Sequence, residues 1–194
     1  MTDIRSVVTA ERSEFADVLA GLTADQWDQP TLCAGWRVRE LVAHLTMPFR
    51  TSTPQFIAGM VRAGGKFDRY ADRQAHRDAA ELSSAELLDC LRRNVSHPWK
   101  PPGGGYAGAL SHDVIHGLDV TVALGIDRRV PLERLQLVFD AVKPRQLKYF
   151  GVDLNGVQLQ ATDLDWSYGT GTPLQRPAQE LLLHLCGRTT GVTR

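Results

Sequence analysis

The chain has 194 residues, 43% of them apolar, and carries 22 Lys+Arg against 22 Asp+Glu, so its formal net charge is zero. That length suits one sizeable core in a single domain spanning 1–194, and balanced charge without a long run of one sign argues against a nucleic-acid or anionic-membrane partner. No apolar run approaches the roughly 20 residues a bilayer crossing needs, and the N-terminal MTDIRSVVTAERSE lacks the layout of a signal peptide, so a soluble, cytoplasmic protein is expected.

Ile4, Val7, Val8, Phe15, Val18, Leu19 and Leu22 recur at threes and fours, predicting an amphipathic helix over 3–22. Thr23 opens a capping-box spacing with Gln26, for a short helical turn through Trp27. Pro30 and TLCAGW then break the pattern into a loop. Helical spacing resumes at Val38, Leu41, Val42 and Leu45, with Pro48 marking an end or a kink. Pro54 to Arg62 reads as helical, Gly64-Gly65 breaks it, and Phe67 to Ala80 is polar and Arg-rich with helical periodicity only in part. Ser83 and Glu86 form a second capping box, opening a helix to about Val95.

The prolines and glycines of HPWKPPGGGY forbid regular structure, and their place ahead of a histidine-bearing segment suits a loop bordering a pocket. Tyr106 to Leu124 is the next predicted helix, ended by Gly125, followed by one over Leu132 to Val142 stopped near Pro144. The period then changes. Val157, Leu159 and Ala161 alternate with polar residues, Asn155-Gly156 is a hairpin-turn signal, and LDWSYG continues in the same manner. A bundle over about 1–145 is thus expected, with a β-hairpin and a last helix over about 146–194, the helix starting at Pro177 and closed by Gly187.

His112 and His116 lie four apart on a predicted helix, about 40° apart on one face, so their rings can converge on one point. Alone, that spacing describes surface or core histidines more often than ligands. His44 flanks the apolar stripe of an earlier helix and is expected to point inward, where bundles assemble metal sites from facing helices, giving three candidate nitrogen ligands. Asp119 shares the face of His112 and His116, where its carboxylate is either a partner for an imidazole N–H or a solvated helix charge. His76 reads as surface, His97 as loop and His184 as a helix residue of undetermined exposure. Cys33, Cys90 and Cys186 are odd in number and lack a C-x-x-C pair, which fits a reducing compartment. Each is read as a small buried hydrophobe, Cys33 with a reactive thiol as the alternative. No nucleophile elbow, phosphate loop or dinucleotide fingerprint is present in the sequence.

The runs 31-TLCAGWRVRELVAHL-45, 111-SHDVIHGLDVTVALG-125, 161-ATDLDWSYGTG-171 and 181-LLLHLCGR-188 together resemble the mycothiol-dependent maleylpyruvate isomerase family of the DinB-like superfamily, over nearly the whole chain. The most specific element is the T-x-C-x-G-W loop before the His44 helix. The resemblance implies a mainly α fold, a DinB-like four-helix bundle with a small C-terminal β element and a final helix. It also implies a divalent metal, usually zinc, with three protein ligands and an open position for water or a thiol. His44 and His116 match ligand positions. His112 stands where isomerase-like members often carry glutamate and many other DinB-like proteins histidine, which keeps the metal site but weakens maleylpyruvate as the substrate.

Three neutral imidazoles leave the cation's charge uncompensated, favouring a bound thiolate. The implied activity is thiol transfer from mycothiol, or isomerisation, on a small-molecule electrophile, with the GGGY loop and tail helix shaping the second-substrate pocket. Asp119 and Arg188 are the candidate catalytic residues, Arg188 as an anion anchor or, alternatively, a charge placed by the helix dipole. A hydrolase using metal-bound hydroxide with Asp119 as base, and a non-catalytic metal- or small-molecule-binding module, are the competing readings.

Overall fold

The computed structural model describes residues 3–142 and 152–188. α1 (Ile4–Ala20) is capped by Asp3, whose carboxylate accepts from the Arg5 N–H, and it buries Val8, Phe15, Ala16 and Leu19 along one face. α2 (Ala24–Trp27) starts on the Thr23–Gln26 capping box. α3 (Val38–Arg50) follows the TLCAGW loop and continues through Pro48 rather than ending there. The proline falls near the C-terminal end, so it removes only a late helical bond, and the Thr51 N–H still reaches the Met47 carbonyl at 3.0 Å.

α4 (Thr53–Arg62) and α5 (Phe67–Glu81) come next. The polar, Arg-rich segment is a regular helix because every fourth or so position is small: Ala71, Ala75 and Ala79 are buried and allow close approach to α3. α6 (Ser84–Arg93) begins on the Ser83–Glu86 capping box, and α7 (Gly105–Ala123) carries the paired histidines. α1, α6, α3 and α7 pack in a closed cycle, α1 and α3 each touching both α6 and α7. Glu11 of α1, fully buried, pairs with Arg128 at 2.8 Å and with Arg134, fastening the segment after α7 to α1.

α8 (Leu132–Asp140) ends within the described residues, while Pro144, its expected stop, lies outside them. β1 (Val157–Ala161) is central in a three-stranded sheet, antiparallel to β2 (Ser167–Gly169) and parallel to β3 (Thr172–Arg176). The hairpin therefore joins β1 to β2 through residues 162–166, and Asn155-Gly156 leads into β1 instead of linking two described strands. Between β2 and β3 the chain passes the start of β1, where Thr172 N–H bonds the Gly156 carbonyl at 2.8 Å. Gly171 has φ 131°, and a Cβ there would stand 2.1 Å from that carbonyl oxygen, so the crossing needs glycine. α9 (Ala178–Leu185) starts after Pro177 and stops before Gly187 at φ 69°. Leu159 of β1 and Leu181, Leu182 and Leu185 of α9 close a core with Leu110, Val114 and Leu118 of α7. The mainly α fold with a small sheet and a final helix is as expected. Among the described residues no helix is long and apolar enough to cross a membrane.

Candidate metal centre

α3 is buried almost all round from Val38 to Met47 because α5, α6 and α7 all pack on it. His44 has no solvent-facing option and is 7% exposed. α7 presents His112 and His116 on the turn facing it, and the three ring centroids lie 4.7–5.2 Å apart. Nε2 of His44 and Nε2 of His112 are 3.1 Å apart, and one nitrogen from each of the three rings falls within 4.8 Å of the others.

Behind His116, Asp119 is fully buried and saturated with donors. Its Oδ2 lies 3.0 Å from His116 Nδ1, 3.0 Å from Cys33 Sγ and 3.0 Å from Arg188 Nη2, and its Oδ1 accepts from Arg188 Nε at 2.8 Å. Burial pushes the Asp119 carboxyl up, but the hydrogen bonds and charges of His116 and Arg188 outweigh it and hold the group well below the usual carboxylate range. Asp119 is thus no solvated helix charge. Arg188 finds its anion within the protein and also donates to the Cys186 carbonyl at 3.1 Å, at the end of α9.

Burial pushes the Cys33 thiol far up, reinforced by the Asp119 charge, so Cys33 is a thiol donor at neutral pH rather than a reactive thiolate. Cys33, His116 and Asp119 also sit close enough together to hold an ion. Arg188 Nη2, 3.1 Å from the sulfur, already places a positive charge there.

His112 is backed in the same way. Its Nδ1 is 3.0 Å from Asp113 Oδ1, and Asp113 Oδ2 accepts from Arg12 Nε at 2.7 Å in a buried pair. Neither residue is marked by the sequence. Asp113 is one step from His112, about 100° around the helix, and Arg12 lies 101 positions from Asp113 on α1, so no local pattern announces either. His44 Nδ1, by contrast, is buried without a hydrogen-bond partner.

The TLCAGW loop is a tight turn with identifiable causes. Thr31 Oγ1 donates to the Trp36 carbonyl at 2.9 Å and accepts from the Cys33 N–H at 3.1 Å, while Gly35 takes φ 83°. Leu32 N–H bonds the Asp119 carbonyl at 3.0 Å, which ties the loop to α7. The turn lays Trp36 4.9 Å from His44, and from another side Trp99 stands 5.2 Å from His112. Tyr106 is engaged with Lys100 and Arg5, at 4.6 and 5.4 Å. His76 and His184 are exposed on α5 and α9, and His97 lies in the segment after α6.

The donor set suits a divalent cation. Burial first, then the neighbouring His112 and His116, holds His44 well below its ordinary value. Burial likewise lowers His116 despite its bond to Asp119. Both rings are neutral at neutral pH, the form that binds metal. Carboxylates on Nδ1 of His112 and His116 leave their Nε2 atoms for ligation. Two imidazoles on one tetrahedral zinc at about 2.0–2.1 Å would have their nitrogens about 3.3 Å apart, close to the His44–His112 separation.

Residues 8–97 match the model of the mycothiol maleylpyruvate isomerase N-terminal domain. Two uncharacterized proteins of Mycobacterium tuberculosis are 27% identical over 198 residues, covering 86% of this chain and 77% of theirs. The fold is similar to the crystal structure of a mycothiol-dependent maleylpyruvate isomerase, with a TM-score of 0.55 at 10% identity over 98% of this chain and 94% of that one. A mutant of that isomerase gives the same TM-score over 93% of its length. The matched segment holds the TLCAGW loop and His44, whereas His112 and His116 lie beyond it in the part covered by the likeness of fold. The likeness in sequence to the mycothiol maleylpyruvate isomerase N-terminal domain thus spans residues 8–97, and the likeness of fold extends over nearly the whole chain.

Proposed function

We propose that the protein is an enzyme that activates a low-molecular-weight thiol, mycothiol, for S-transfer to, or isomerisation of, a small electrophile at a divalent metal held by His44, His112 and His116. The observation that carries this is the convergence of three imidazoles from α3 and α7, with side-chain exposures of 18% and 14% for His112 and His116. The match of residues 8–97 to the mycothiol maleylpyruvate isomerase N-terminal domain supports the choice of thiol. When bound, the cation, with zinc the first candidate, supplies Lewis acidity that favours the deprotonated thiol.

The protein's own residues do the rest. Asp119 accepts the Nδ1 proton of His116 and fixes that ring, and Arg188 holds Asp119 from the far side in a two-bond pair. Asp119 and Arg188 therefore act by positioning, since neither faces the space between the rings with a free atom. Trp36 and Trp99 restrict water and leave apolar surface for the electrophile. The Asp113–Arg12 and Asp119–Arg188 pairs are each neutral, so the charge of the bound cation stays uncompensated, as three neutral ligands imply.

The hydrolytic reading loses its base, because Asp119 is fully buried and already accepts four hydrogen bonds. Purified, metal-loaded protein should consume a generic electrophile with mycothiol but not with glutathione or without thiol. Thiol-free hydrolysis would replace this reading with the hydrolase, and no turnover under any condition would leave a binding module.

A further inference from the structure

A closed circuit of contacts surrounds His112. Its Nδ1 meets Asp113 Oδ1 at 3.0 Å, and Asp113 Oδ2 accepts from Arg12 Nε at 2.7 Å. Arg12 Nη1 donates to the carbonyl of His97 at 2.8 Å. Nδ1 of His97 accepts the backbone N–H of Trp99 at 3.2 Å, and the Trp99 ring returns to His112, edge to face at 5.2 Å.

The circuit is rigid for physical reasons. The Arg12 and Asp113 side chains are 2% and 8% exposed, so their bonds are little screened. Arg12 also lies over the Phe49 ring, which packs on His97 at 4.9 Å. The cavity beside the pair is about 10 Å³, lined by Arg12, Asp113, Phe15 and Phe49 among others, too small for any substrate. The pair therefore serves the fold or His112, not a ligand of its own. A purely structural ion pair would have no reason to spend one carboxylate oxygen on a ring whose other nitrogen faces two more imidazoles.

We infer that Arg12 and Asp113 are positioning residues for His112: Asp113 holds the ring with its proton on Nδ1 and Nε2 bare, and Arg12 couples that ring to the Trp99 wall through His97. Ligand and pocket wall are thereby set as one unit. The inference rests on the metal reading above for its purpose, but not for its geometry. In the metal-free protein it assigns the proton between His44 and His112 to Nε2 of His44, since Nε2 of His112 carries the lone pair.

Nitrogen-15 NMR of the histidine rings in chelator-treated wild-type protein at pH 7.5 should show His112 as the Nδ1–H tautomer. The Nε2–H tautomer would overturn the proposal. Asp113→Asn should weaken cobalt(II) binding, measured by competition with a chromophoric chelator, by about 10–100-fold. Arg12→Lys keeps the charge but loses the planar fork that donates from Nε to Asp113 and from Nη1 to the His97 carbonyl, so it should lower cobalt(II) affinity and move both the His112 ring signals and the Trp99 indole signal. Unchanged cobalt(II) affinity with unmoved His112 and Trp99 signals, whatever the loss in thermal stability, refutes the inference. Should Arg12→Lys not fold, the wild-type tautomer and Asp113→Asn decide. Wild-type protein that takes up no cobalt(II) refutes the metal reading, and the tautomer measurement then judges the positioning by itself.

Discussion

The carboxylate of Asp119 stands 3.0 Å from Nδ1 of His116, with no exposure to solvent and Arg188 bound to both of its oxygens. This joins residues from α7 and the end of α9, so the C-terminal segment completes the support of a ring whose facing partner, His44, comes from α3. Asp119→Asn should weaken metal binding by about 10–100-fold while leaving one cation per chain at saturation. It should also cost about 3 kcal/mol of stability, because Arg188 is left as a largely buried charge without its anion. Urea unfolding alongside a metal titration checks both. A variant matching wild type in both would return Asp119 to the role of an inert helix residue.

Purified protein should carry about one divalent metal per chain by elemental analysis, and His116→Ala should remove both metal and activity. Full loading after His44, His112 and His116 are all replaced by alanine would end the proposal.

His112→Glu tests the charge argument. A carboxylate ligand cancels part of the cation's charge, lowers its Lewis acidity and raises the pKa of a bound thiol, so the activity-versus-pH curve should move upward. Metal content is measured on the same samples. Metal retained with an unmoved curve rejects the argument.

The metal-free protein should lose stability as pH falls below about 6.5. His44 in the unfolded chain takes up a proton near that value, whereas burial and the two neighbouring histidines hold its folded value well below it. The unfolded state therefore binds more protons between the two values, and stability, fully present above 6.5, falls with pH across that window. Urea midpoints from pH 8 to 5 in the presence of chelator measure the slope, and His44→Leu should flatten it. Asp119 adds nothing in this window. Its folded value is depressed, so its contribution is complete above the ordinary aspartate range and is lost only in stronger acid.

Gly171→Ala should destabilise the protein by about 2 kcal/mol or more, because a Cβ there meets the Gly156 backbone at 2.1 Å and φ is 131°. Thermal unfolding reads the loss. Cobalt(II) affinity should stay within about twofold, since the crossing beside β1 lies outside the ligand helices α3 and α7; loss of affinity in parallel with stability would show the sheet and the site to be one cooperative unit.

The amino-acid order by itself determined the helices, because capping boxes at Thr23 and Ser83, glycine stops at Gly125 and Gly187 and apolar spacing in α1, α3 and α7 are local, and helix formation is decided locally. It also determined which histidines share a face, since His112 and His116 are one turn apart. It misplaced features that depend on distant packing. Pro48 is carried inside α3, and the parallel pairing of β1 with β3 needs a crossing that no turn signal announces. Only the tertiary structure decided that His44 meets the α7 pair, that Asp119 is locked between His116 and Arg188, and that Arg12 reaches Asp113 across 101 positions of chain. Those partners are chosen by which helices pack together, and helix packing depends on the whole set of buried faces at once, whereas periodicity reports each face alone.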